Sequence, residues 1–521
     1  MGELVDVHSG PATRPGLETL VISAPPLQLN CPSMTRSPLL DSAPKTPKSP
    51  FVTRLMTPVA SPMKKAIASM QGYLEEVGQF TKLDPQEAWL PITESRNGNA
   101  YYSAFHTLSS GIGFQALVLP LAFTTLGWVW GVICLSLAFV WQLYTLWLLI
   151  QLHESESGMR YSRYLRLSMV AFGEKLGKLL ALFPIMYLSG GTCVTLIMIG
   201  GGTMKIFFQI VCGNTCSVKH LSVVEWYVVF TCLAILLAQL PNLNSIAGVS
   251  LVGAITAISY CSLIWIVSIT QGRPEGVSYD PPAANSEVAR LFGIFNALGI
   301  IAFAFRGHNL VLEIQATMPS SGKHPSRIPM WIGVKLAYLI VATCLFPLAI
   351  AGFWAYGNLM SENGWILSAL YNYHKLDTSK LLLGLASLLV VINSLSSFQI
   401  YAMPVFDNLE FRYTSKWRRP CPRWLRTGIR VFFGCLAFFI AVALPFLPSL
   451  AGLIGGIALP ITLAYPCLMW LIIKKPQIFS PSWCLNWALG VLGMVLSVLV
   501  TTGAIWGIVT KGIQLRFFKP Q

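Results

Sequence analysis

Arg306, Gly307, His308 and Asn309 stand in the middle of an otherwise apolar run, "GIIAFAFRGHNLVLEI" (299–314). A guanidinium, a helix breaker and an imidazole at mid-membrane depth are costly. An arginine at the centre of a membrane helix costs about 3 kcal/mol or more, so intramembrane ionisable residues point to function. A second interrupted run, "SSGIGFQ" (109–115), places glycines and polar side chains inside another long apolar segment. Breaking a helix at that depth frees backbone N–H and C=O groups, which is tolerable only inside protein or around a water-filled cavity. Half-helix N-termini then offer N–H donors and partial positive charge to a carboxylate, and freed carbonyls suit an ammonium or metal ion. Two facing breaks therefore suit a zwitterion the size of an amino acid.

Ser110, Gly111, Ile112, Gly113, Phe114 and Gln115 at the first break, with Phe305, Arg306, Gly307, His308 and Asn309 at the second, are the candidate substrate-binding residues. His308, Glu313, Asn393, Ser394 and Ser397 are candidates for a coupling ion. Each has a plainer reading. Arg306 could mark a kink and snorkel to the interface. Glu313 could pair with Arg306 seven residues earlier or sit at the inner interface. His106 could be a hydrogen-bonded core histidine. The patch Asn393, Ser394, Ser396 and Ser397, like Ser250, Ser259, Tyr260 and Ser262, could hydrogen-bond between helices.

The elements that must position these residues follow from hydropathy. The chain has 521 residues, 54% hydrophobic and 11% charged, against about 25% charged in an average soluble domain. Runs long enough to span a bilayer fall at 100–126, 128–152, 179–207, 222–240, 245–271, 288–316, 329–356, 380–406, 429–446, 449–473 and 484–510. This predicts an all-α polytopic membrane protein with eleven transmembrane helices. The interrupted runs are the first and sixth, as a five-plus-five inverted repeat with broken helices 1 and 6 requires, and such paired interruptions mark a transporter's binding site. The net charge of +15 is a topology signal and not a nucleic-acid footprint. With the N-terminus cytoplasmic, the short inner loops carry sixteen Lys and Arg and the outer loops six, in accord with the positive-inside rule. Anionic lipid is the partner this implies, and an odd number of spans puts the C-terminus outside.

Residues 1–98 are rich in Pro, Ser and Thr, with Ser/Thr-Pro pairs at Ser37, Thr46, Ser49, Thr57 and Ser61. They read as a disordered cytoplasmic tail, in which 63–74 is either a surface amphipathic helix or solvated linker. The first span then acts as the insertion signal. Residues 99–511 form the transport domain and 512–521 a short extracytoplasmic tail. The stretch 158–178 is expected as an interfacial helix, and Cys212 and Cys216 as a possible disulfide on an outer loop. No zinc-protease, nucleophile-elbow or P-loop motif and no metal-spaced Cys/His cluster occurs. No cofactor is implied.

"YYSAFHTLSSGIGF…LPLAFTTLGW" (101–128), "LPNLNSIAGVSL" (240–251) and "FRGHNLVLEIQATMPS…PMW" (305–331) resemble plant lysine/histidine-type permeases of the amino acid/auxin permease family. The resemblance runs over about 99–511. It implies an inverted-repeat, LeuT-like fold with eleven helices and proton-coupled amino-acid import at the plasma membrane, so amino acids and protons are the implied ligands. At the first break the family usually reads G-A-G where this chain has Gly113, Phe114 and Gln115. At the second it reads Y-A-G-H-N where this chain has Phe305, Arg306, Gly307, His308 and Asn309. A small residue is replaced by a large one at both junctions, so the pocket is expected to be smaller, more polar and more cationic. The alternatives are a transporter-like receptor that senses amino acids, and a cation-independent carrier of organic anions or acidic amino acids.

Overall fold

The computed structural model describes residues 89–93, 96–155, 158–212, 221–240, 246–283, 286–360, 365–443 and 447–510. The stretch 63–74, read as surface helix or solvated linker, the connection at 241–245 and the C-terminal tail lie outside them, as does Cys216. Cys212 is disulfide-bonded.

The described residues form helices and connections, with no strand beyond an isolated bridge between Glu154 and Arg160. In chain order they are α1 (Ala100–Gly111), α2 (Gln115–Leu152), α3 (Tyr164–Phe172), α4 (Glu174–Cys212), α5 (Val223–Leu237), α6 (Ala247–Gln271), α7 (Glu287–Ala304) and α8 (His308–Ala316). Then follow α9 (Arg327–Tyr356), α10 (Ile366–His374), α11 (Lys380–Trp417), α12 (Arg423–Ala443), α13 (Leu447–Leu459), a π-helical turn (Pro460–Ala464), α14 (Tyr465–Lys474) and α15 (Pro481–Thr510).

Among the described residues nine helical stretches are long and apolar enough to cross a membrane, against eleven expected. The difference has two sources. The expected fourth span is α5, whose 15 residues fall short of the roughly 20 that cross a bilayer. The expected first and second spans share α2, whose 38 residues would extend about 57 Å as one helix, well beyond a hydrocarbon core of about 30 Å. Gly127 resolves that mismatch. At φ 69° and ψ −175° it leaves the helical region and divides α2 into 115–126 and 128–152. Only glycine enters that backbone region freely. The stretch 158–178 also differs from expectation. Its helix is confined to α3, Gly173 ends it, and Glu174 already begins α4.

The two halves correspond in layout. Each opens on a helix broken inside its apolar run, at 112–114 and at 305–307. Each carries a nine-residue helix between what would be its second and third spans, α3 in the first half and α10 in the second. α11 runs along α4 and α6 and touches α1, while α7 packs on α2, α13 and α15. One continuous apolar core joins these elements. Leu137, Val140, Phe183, Leu339, Phe432 and Val498 point away from the core, which suits helices whose outer surface meets lipid.

Close helix approach depends on small residues, as membrane packing requires. A Cβ at Gly299 on α7 would stand 2.8 Å from the Gly452 carbonyl and 2.8 Å from Val500 Cγ1, and a Cβ at Gly455 would strike the Gly299 carbonyl. Gly299→Val should therefore part α7 from α13 and α15 at a cost of about 1–3 kcal/mol. The expected outcome is a lower thermal midpoint of the detergent-purified protein by fluorescence-detected size exclusion, with Gly507→Ala, where a Cβ meets open space, as the neutral control.

Candidate functional site

The two breaks face each other. Asn99 caps α1 by accepting from the Tyr102 N–H at 3.0 Å, and the helix ends at Gly111 because Ile112 adopts an extended conformation. α2 starts three residues later at Gln115. On the other strand of the crossing, Ser286 caps α7, which ends at Ala304. Gly307, at φ 124° and ψ −7°, then turns the chain into α8. A Cβ at Gly307 would lie 3.4 Å from Ser110 Oγ, so the second break rests on the end of α1.

Arg306 is only 1% exposed. It does not snorkel; it turns into the protein between the breaks. Its Nη2 donates to Gln115 Oε1 at 2.7 Å and its Nη1 makes a longer contact of 3.4 Å with Thr192 Oγ1. Three aromatic faces surround the guanidinium carbon, Phe114 at 4.5 Å, Tyr401 at 4.6 Å and Phe303 at 4.8 Å. A desolvated cation–π contact is worth about 2 kcal/mol, which explains how a buried cation persists here without a protein carboxylate. Gly113 leaves the room this pairing needs. A Cβ there would stand 2.8 Å from Gln115 Oε1 and 3.1 Å from Arg306 Nη2.

The carbonyls freed at the first break are taken by side chains from neighbouring helices. Ser397 donates to Ser109 O at 3.2 Å, Tyr401 to Ser110 O at 2.8 Å, Gln115 Nε2 to Gly111 O at 2.9 Å and Tyr260 to Gly113 O at 2.8 Å. Asn393 donates to Gly253 O at 2.9 Å and Ser396 to Val249 O at 2.7 Å, which fastens α11 to α6. Ser394 Oγ is buried with no partner among the described residues.

The other titratable candidates sit apart from the guanidinium. His308 Nε2 is 2.8 Å from Thr145 Oγ1 and its Nδ1 has no partner among the described residues. Asn309 Nδ2 donates to Ser189 Oγ at 3.1 Å. His106 Nδ1 is 2.8 Å from Ser250 Oγ, the hydrogen-bonded core histidine of the plainer reading. Glu313 makes no ion pair with Arg306. Its charged neighbours are Asp407 and Arg163, because the break removes the continuous helical spacing that would have aligned positions 306 and 313.

Those neighbours belong to a charged cluster at one end of the bundle. Arg163 pairs with Asp407 at 2.6 Å, and Glu410 meets Arg426 at 3.0 Å and Arg430 at 3.9 Å. The segment before α1 closes over this end. Leu90 and Ile92 are buried, Arg163 Nη2 reaches Thr93 Oγ1 at 3.4 Å, and the Gly98 N–H donates to Thr317 O at 2.8 Å.

Of the candidates named from sequence, Gln115 and Arg306 are in direct contact, and Phe114, Gly113, Ser110, Gly307 and Ser397 surround them. Tyr401, Thr192 and Phe303 were missed, since an aromatic or hydroxyl residue inside an apolar run carries no local signature. The remaining ambiguity at Ser259 and Tyr260 resolves by direction. Ser259 returns to Ile255 O on its own helix, and Tyr260 reaches the break.

A family model described as "Transmembrane amino acid transporter protein" matches residues 96–510. The chain is 57% identical over 515 residues to Lysine histidine transporter-like 8 of Arabidopsis thaliana, a match that covers 97% of this chain and 99% of that one. It is 47% identical over 442 residues to Lysine histidine transporter-like 7 of the same plant, covering 84% and 90%. Among solved structures, a Na+-coupled sialic acid symporter in a substrate-bound outward-open state aligns with a TM-score of 0.50 at 11% identity, over 86% of this chain and 97% of that one. That likeness bears on the fold alone. The resemblance read from 101–128, 240–251 and 305–331 is borne out.

The charged cluster gives a measurable expectation. Asp407 is 2% exposed and is the carboxylate partner of Arg163. Removing one member of a buried pair leaves the other charge uncompensated, at about 3–5 kcal/mol. Asp407→Ala should lower the thermal midpoint of the purified protein sharply, and the double variant Arg163→Ala/Asp407→Ala should recover part of the loss.

Proposed function

The chain belongs to the transmembrane amino acid transporter family, and we propose that it imports amino acids across the plasma membrane, coupled to protons, by alternating access. The observation that carries this reading is the pair of facing helix breaks at 112–114 and 305–307, one in each half of the chain. The substrate lies at Ser110–Gln115 and Phe305–Asn309, where backbone N–H groups start α2 and α8. His308 and Glu313 are the side chains that could carry a proton near this path. Both are buried, and each has an atom with no hydrogen-bond partner among the described residues. Asn393 and Ser397 already donate to backbone, so they act in this reading as supports, while the Ser394 hydroxyl is buried with no partner among the described residues.

The eleven-span count, a cytoplasmic N-terminus and an extracellular C-terminus complete the reading. The basic loops and the charged cluster of Arg163, Asp407, Glu410, Arg426 and Arg430 then lie on the cytoplasmic side. In that orientation the path is sealed inward, with 89–93 beneath the bundle. Inward opening requires spans one, two, six and seven to rock against three, four, eight and nine and to part this cluster.

The test is radiolabelled amino-acid uptake in a permease-deficient cell, with surface expression measured in parallel. Accumulation that collapses when a protonophore is added supports the reading. Surface-expressed protein without accumulation of any amino acid overturns it. Gly307→Leu should abolish uptake at unchanged surface level, because a side chain at φ 124° is strained and would press on Ser110.

A further inference from the structure

The junction between the breaks is unequal in what it leaves open. At the end of α1, the carbonyls of Ser109, Ser110, Gly111 and Gly113 are occupied by Ser397, Tyr401, Gln115 and Tyr260. Each already accepts a side-chain donor, which weakens it as a seat for an ammonium or a metal ion. The donors opposite are open. Helix geometry leaves the first N–H groups of α2 without intrahelical partners. Ala116 and Leu117 turn back to Gly113 and Phe114, while the N–H groups of Gly113, Phe114 and Gln115 meet no acceptor among the described residues.

Arg306 adds a full positive charge at the same place. Its Nε is buried with no partner among the described residues. The groups in its electrostatic reach are Tyr401, Cys193 and Tyr260, and Glu313 makes no ion pair with it, its charged neighbours being Asp407 and Arg163. A buried guanidinium with no carboxylate partner among the described residues, beside the positive end of a helix, is short of one negative charge.

We infer that the bound substrate supplies that charge, so that the junction selects an acidic amino acid over a neutral one. One carboxylate takes the N–H groups at the start of α2, the second takes the open edge of Arg306, and the ammonium is left the last carbonyls of α7, which helix geometry leaves open. A neutral amino acid would leave the guanidinium uncompensated. This inference rests on the transport reading for its cargo, and binding tests it separately.

The experiment has two arms. The detergent-purified full chain is titrated with L-glutamate, L-alanine and succinate while the thermal midpoint is followed, and the same three solutes are offered as labelled substrates to expressing cells. Apparent affinity for glutamate at least tenfold above alanine supports the inference, with succinate weaker than glutamate because it lacks the ammonium. Arg306→Gln should erase the preference for glutamate while alanine is retained or improved, and Arg306→Lys should keep part of it. Alanine bound as well as or better than glutamate by the unmodified chain overturns the inference, with no variant required. Succinate equal to glutamate overturns the amino-acid assignment. Preferred glutamate binding without uptake by surface-expressed protein overturns the transport reading and leaves the inference standing.

Discussion

A helix cut inside hydrocarbon must find a partner for every backbone group it frees. Much of the interior here answers that demand. Tyr260 on α6, Ser397 and Tyr401 on α11, and the side chain of Gln115 each close one carbonyl at the end of α1. This is a demand on geometry as well as on chemistry, since the hydroxyls must arrive from two helices, α6 and α11, at the correct height. The bonds from Asn393 and Ser396 to α6 hold α11 at that height. The polar patch of α11 is thus structural first, and its seryl and asparaginyl side chains make sense as fasteners between helices.

The two large polar side chains at the breaks are a single feature. Gln115 and Arg306 lie 191 positions apart and meet at 2.7 Å. A glutamine at the first junction supplies the acceptor that an arginine at the second needs, and Phe114 beside it supplies one of the rings over the guanidinium. Either side chain alone would bury a polar group without compensation. Together they form one unit across the two breaks.

How much was legible in the chain divides along a physical line. Helix existence, the two interruptions and the buried guanidinium follow from hydropathy and from glycine placed where helix cannot continue, and these local signals survive in a linear reading. The division of α2 was legible as well, since the apolar runs end at 126 and restart at 128 and Gly127 leaves the helical region between them at φ 69°. Glu313 was open between a pairing with Arg306 and a place at the inner interface. Counting seven residues from Arg306 assumes a continuous helix, and the break withdraws that assumption. Tyr401, Thr192 and Phe303 were illegible because their roles lie in contacts more than a hundred or only a few positions away, with nothing in residue type to separate them from ordinary packing.

The three rings around Arg306 come from separate elements, Phe114 from the junction before α2, Phe303 from α7 and Tyr401 from α11. A salt bridge fixes direction and distance, and rotation breaks it abruptly. A flat cation held between ring faces has a shallow dependence on sliding, because the attraction is spread across the whole face of each ring. Gln115 fixes one edge of the guanidinium at 2.7 Å, and the rings hold the rest of it as a bushing holds a shaft. α11 and the broken helices can shear past one another around it while the charge stays sheltered, so the costliest side chain in the membrane is also the one best suited to be the axle.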